Sequence, residues 1–135
     1  MEHLQQLHSQ LLFTILTVFI VLALWCLLDY VRKKTVSEYA RALLIIGELL
    51  IASTFVIGIM LWIGNERPSR PEPHIMYAFV ALISPLVMLA DIRSNIGRTA
   101  QLRLLIGAVF VCAIVLRALV TLSLIHISEP TRRTP

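Results

Sequence analysis

Two histidines and one glutamate are the residues of this sequence best placed to do chemistry. His8 stands at the start of the first apolar run and His74 at the start of the third. The first and third spans of a multi-pass chain run in the same direction, so both imidazoles are expected at one depth, on diagonal helices of a four-helix bundle. Two imidazoles in that relation are what a b-type haem needs for its two axial ligands. The electropositive start of a helix also favours the neutral, ligating imidazole. Arg117, in the outer half of the fourth run, is expected at about the same level. There it suits a haem propionate, a quinone oxygen or a lipid phosphate, or it snorkels to the headgroups as a plain structural residue. Tyr77, one turn after His74, either hydrogen-bonds within such a pocket or joins the interfacial aromatics. The cofactor implied by these four residues is haem b or a quinone. The bland alternative is two histidines facing headgroups.

Glu48 is the one charge inside the second run. It is expected about two turns inside the basic-loop end of its helix, at 1.5 Å per residue. Ionisable groups at such depth are costly and tend to face the bundle interior. Ser84 and Pro85 of the third run should lie level with it. Pro85 frees the carbonyl of Ala81, and Ser84 stands where it can help satisfy the backbone there. Glu48 is then either a proton relay or polar anchor for a ligand, or a protonated acid bonded to Ser84 or to the freed carbonyl. No HExxH, GxSxG, P-loop or paired-carboxylate motif is present. Cys26 and Cys112 lie far apart inside apolar runs, without CxxC or metal-ligand spacing, and read as small packing residues.

The elements that position these residues follow from composition. Hydrophobic residues make up 58% of the 135-residue chain and charged residues 15%. Soluble domains run near 45–50% and about 25%. So short a chain cannot hide that much apolar surface from water, which leaves the bilayer as its solvent and partner. The net charge of +4 sits in short loops between apolar runs, with no basic stripe and no interleaved aromatics, so nucleic-acid binding is set aside. Runs of about 20 apolar residues span a membrane. The sequence predicts an all-α integral membrane protein with four transmembrane helices over about 6–29, 42–64, 74–91 and 103–121. His3 is expected in a disordered tail. The segments Asn65–Pro73 and Asp91–Arg103 are expected as loops, the first because of its three prolines. Thr14, Thr17, Gly47, Ser53, Thr54, Gly58 and Gly107 fit close helix packing.

Short connections favour up-down-up-down neighbours. The first loop holds Arg32, Lys33, Lys34 and Arg41, and the third holds Arg93, Arg98 and Arg103. The second loop holds Arg67 and Arg70, and the N-terminal stretch has no Lys or Arg. By the positive-inside rule, loops one and three are cytoplasmic and both termini face outward. Met1–Gln10 lacks the basic start of a secretory signal, so the first run is expected to stay in the mature chain.

Leu122–Arg132, LSLIHISEPTR, resembles the conceptual translation of a transposon-end adapter used in shotgun sequencing libraries. The expectation is that residues 1–121 form the transmembrane domain and that 122–135 are a non-native tail. The segments LHS (Leu7–Ser9), GELL (Gly47–Leu50), HIMYAFVAL (His74–Leu82) and RALVT (Arg117–Thr121) resemble a group of small four-helix bacterial integral membrane proteins. That resemblance implies the fold and a bacterial inner membrane, and no activity. Its pattern carries a glycine where Leu122 stands here, in keeping with a junction. The outline is also similar to one half of haem A synthase, a four-helix bundle with two haem-ligating histidines. The histidine-bearing helices differ, however, and its Glu-x-x-x-His pattern is missing. Three readings follow. The sparse polar content favours an accessory protein or subunit of the inner membrane, partnered by other membrane subunits rather than an enzyme. The second is a b-haem or quinone redox protein using His8 and His74. The third is a minimal proton-coupled carrier working through Glu48.

Overall fold

The computed structural model describes residues 2–65, 71–94 and 97–132, with side chains through Val120. These residues form four helices: α1 (Glu2–Val31), α2 (Glu38–Ile63), α3 (Pro71–Ser94) and α4 (Arg98–Arg132). No strand occurs among them. All four are long and apolar enough to cross a membrane, and the chain is an all-α, multi-pass membrane protein.

Each helix starts ahead of the apolar segment that announced it. His3, expected in a tail, is an exposed residue of α1. The start of α2 comes earlier than hydropathy indicates because Ser37 caps it: its hydroxyl accepts from the Ala40 N–H at 3.2 Å. Such a cap satisfies one of the orphan donors of a first turn. In α3, Pro71 and Pro73 fall inside the helix rather than the loop. A first turn tolerates proline because the N–H it lacks would have no partner there. Of the expected Asp91–Arg103 loop, both flanks are helical. Asp91 accepts from Arg103 Nε at 2.9 Å, linking the end of α3 to the start of α4.

In the bundle α1 packs on α2 and α4, and α3 packs on the same two helices. Among the described residues neither diagonal pair, α1/α3 or α2/α4, makes a close backbone approach. This is the square of an up-down-up-down bundle. The buried residues of α1 are His8, Leu12, Ile15, Phe19, Leu22, Cys26 and Asp29. Those of α4 include Gln101, Leu104, Ala108, Val111, Val115 and Ala118. Steps of three and four alternate along both, the 3.5-residue repeat that keeps one seam inward through a left-handed supercoil. In α2 the same rhythm runs through Ala40, Leu44, Gly47, Ile51, Thr54 and Leu61, with Gly58 completing it. In α3 it runs through Ala81, Pro85, Met88 and Ile92. Continued backward from Ala81 by three and then four, it meets Ala78 and His74.

Small residues on these seams admit large ones from the neighbouring helix. A Cβ built on Gly47 would lie 2.7 Å from Phe19 Cε2, so the fully buried Phe19 ring occupies the space the glycine leaves. Met88 fills the equivalent space at Gly107, where a Cβ would meet its Sδ at 2.9 Å. The hydroxyls of Thr14, Thr17, Ser53 and Thr54 donate to carbonyls four residues back, at 2.8–3.0 Å. Polar groups in lipid must find partners within the protein, and these find them in their own helix. Cys26 is buried and Cys112 half-buried, both as free thiols.

Candidate functional site

The seams carry His8 and His74 to one end of the bundle interior. Their ring centroids are 6.2 Å apart and the rings are tilted by 54°. They meet across the diagonal, between helices whose backbones stay apart. His8 is buried and His74 half-buried. The Nδ1 atoms of both are buried without a hydrogen-bond partner. Buried polar atoms in folded proteins are nearly always paired, so two such atoms within one ring pair mark it as under-bonded.

The rest of the pocket comes from α2. The Thr54 backbone lies close to the His8 ring, and the Thr54 hydroxyl donates to the Leu50 carbonyl at 2.8 Å. Gly58 lies against the same ring, and a Cβ there would sit 3.5 Å from His8 Cε1. Sequence reading placed Thr54 and Gly58 among packing residues. Their place on the α2 seam, seven and eleven residues beyond Gly47, is the signal that could have found them. Tyr77 is half-buried one turn below His74. Arg117 is exposed on the outside of α4, so the structure joins the two histidines and does not bring Arg117 inside with them.

Glu48 lies elsewhere. Phe19 faces Gly47 and His8 faces Gly58, so α1 and α2 advance in step and in opposite senses. Glu48 is ten residues from Gly58, about 15 Å along the axis from the histidines. Phe55 and Phe79 meet at 5.3 Å in an edge-to-face contact. Seven residues from each stand Glu48 and Leu86, so Glu48 is level with Pro85, as expected. Glu48 is half-buried and its Oε2 has no partner. The Ser84 hydroxyl donates to the Val80 carbonyl at 2.6 Å, one residue before the carbonyl that Pro85 frees.

The opposite end of the interior holds a second polar group that sequence reading passed over. Asp29 and Gln101, 5% and 1% exposed, occupy the last α1 and first α4 seam positions. Asp29 Oδ2 and both amide atoms of Gln101 are buried without partners. Between the two ends the interior is apolar: Ile15, Phe19, Leu22, Leu44 and Val111 are each almost fully buried.

Among the described residues no group of three or more His, Cys, Asp and Glu side chains is placed to hold a metal ion. The His8–His74 pair brings two imidazoles together without a third such side chain among the described residues. No family model, no curated protein and no solved structure matches the chain. What defines it is a four-helix transmembrane bundle with a buried, under-bonded histidine pair at one end.

Proposed function

We propose that this protein is a small membrane redox protein that holds a b-type haem between His8 and His74. The observation that carries the reading is the 6.2 Å separation of two buried imidazoles, each with a ring nitrogen lacking a partner. His8 and His74 are the residues that would hold the iron of such a group between them. A bare ion would find only two protein ligands here. A macrocycle that brings four nitrogens of its own needs only two, which is why the pair favours haem over a simple metal centre. When bound, such a group exchanges single electrons at its iron.

The chain's own residues have distinct parts in this. His8 and His74 would each offer a ring nitrogen that lacks a partner, with the Thr54 backbone close to the His8 ring. Gly58 leaves the His8 ring room on its α2 side. Tyr77 stands close enough in sequence to shape the His74 side. The apolar layers beginning at Leu12 and Ile15 exclude water beneath the site. Arg117, exposed on α4, is placed to reach headgroups or a group at the rim. The basic loops would face the cytoplasm and the histidine end the outside of a bacterial inner membrane, by the positive-inside rule. An accessory protein without chemistry would leave the paired imidazoles unexplained. A carrier working through Glu48 would need a path that the apolar interior layers do not offer along the axis.

The test is an absorbance spectrum of the purified protein, expressed with haem supplied, with and without the residues after Thr121. The expected result is a Soret band with the sharp visible bands of six-coordinate haem, lost in His8→Ala and His74→Ala. A colourless, folded protein in both forms overturns the haem reading and moves the pair to quinone binding.

A further inference from the structure

The basic end of the bundle carries a second kind of site, and it stands apart from the haem reading. We infer that the α1–α2 turn binds the phosphate of an anionic phospholipid, through Lys33, Lys34 and Arg41. The α1 helix closes with the Lys34 N–H on the Asp29 carbonyl at 2.9 Å and the Lys33 N–H on the Tyr30 carbonyl at 3.1 Å. This is the Schellman pattern, whose left-handed position is normally taken by glycine. Here Lys33 holds it, at φ 58°. A side chain in that conformation costs about 1–2 kcal/mol relative to a right-handed one, so a lysine is kept at a position where glycine would be more stable. The closure fixes where both lysines leave the backbone.

Four residues into α2, Arg41 is half-buried and its Nε is buried without a partner. Two other cations of this end are engaged, Arg103 by Asp91 and Arg98 over the Tyr30 ring at 4.5 Å. Lys33 and Lys34 are exposed. Ser37 starts α2 beside them, and the positive end of that 26-residue helix adds to the local field.

The surface just inside the bilayer from these cations is apolar and rigid, which points to a lipid rather than to free phosphate. Trp25 donates to Ser37 Oγ at 3.0 Å and packs on Tyr39 with centroids 5.5 Å apart. Leu28, one turn on from Trp25, is exposed on the same side of α1. A headgroup phosphate at the turn would thus lay its acyl chains along an aromatic and aliphatic wall. Basic pockets at the ends of membrane helices bind anionic headgroups in this way.

The experiment is native mass spectrometry of the full chain released from nanodiscs of phosphatidylglycerol and phosphatidylcholine, paired with thermal unfolding in each lipid alone. Wild type should retain phosphatidylglycerol. Each cation near a membrane surface contributes about 1 kcal/mol, or about five-fold in affinity. Lys33→Gly should therefore lower retention about five-fold while raising stability in phosphatidylcholine. Combining it with Lys34→Gln and Arg41→Gln should lower retention about a hundredfold. Retention in the triple variant within two-fold of wild type would overturn the site. So would an equal loss in Arg93→Gln, which reports surface charge in general, or full competition by millimolar inorganic phosphate, which reports a free-anion site.

Discussion

Gly58 gives the sharpest check on the histidine site. A Cβ at this position would stand 3.5 Å from His8 Cε1, an ordinary van der Waals contact. Gly58→Ala should therefore leave ligation intact, and replacing a helical glycine should add up to about 1 kcal/mol of stability. Gly58→Val is different, because its methyl groups extend about 1.5 Å beyond the Cβ, one carbon–carbon bond. Any γ carbon directed at the ring then approaches to near 2 Å, and the imidazole must move by an ångström or more. Ligand bonds hold to within about 0.2 Å of their usual lengths, so that movement removes His8 from the iron. The assay is the visible and electron paramagnetic resonance spectrum of haem-loaded protein. Wild type and Gly58→Ala should be low-spin and six-coordinate, and Gly58→Val high-spin and five-coordinate through His74. A low-spin Gly58→Val protein with unchanged haem affinity would refute the claim that His8 ligates from beside Gly58.

Other expectations follow from packing and polarity. Gly47→Ala should destabilise the bundle by about 1–3 kcal/mol through overpacking against Phe19, and Phe19→Leu in the same chain should recover part of the loss in a denaturation series. Trp25→Phe removes the bond to Ser37 Oγ and should cost about 1 kcal/mol, read as a lower midpoint with an unchanged spectrum. Glu48→Gln, about 15 Å from the histidines, should leave any haem spectrum unchanged. Glu48-dependent proton flux into vesicles would revive the carrier reading.

The number of helices, their order and the shared depth of His8 and His74 were legible in the sequence. Those features depend on apolar length and direction, which hydropathy reports. The helix ends were not. Ser37, Pro71 and the Asp91–Arg103 link lie in polar stretches where backbone capping, not transfer to lipid, decides where a helix stops. The inward faces were also hidden, because a helix that is apolar all round shows no polar contrast between lipid and protein sides. What marks the seams is size. Gly47 and Gly107 admit larger neighbours, and Ala40, Ala81, Ala100 and Ala108 lie buried on the same inner faces. Thr54 and Gly58 had been noted as packing residues, but their proximity to His8 needed the register between α1 and α2. Asp29, the last residue of the first expected span, and Gln101, inside the expected Asp91–Arg103 loop, both turn inward.

The apolar layers between the two polar ends have an electrical meaning. Ile15, Phe19, Leu22, Leu44 and Val111 fill the seams between the Thr54 level and the Asp29–Gln101 end with apolar side chains, with Glu48 half-buried to one side of them. The bundle is in that sense an insulator with one wired terminal. A group seated between His8 and His74 would take and return its electrons and protons on a single face of the membrane. Charge crossing to the far side would need a second protein, or a carrier that moves through the lipid itself.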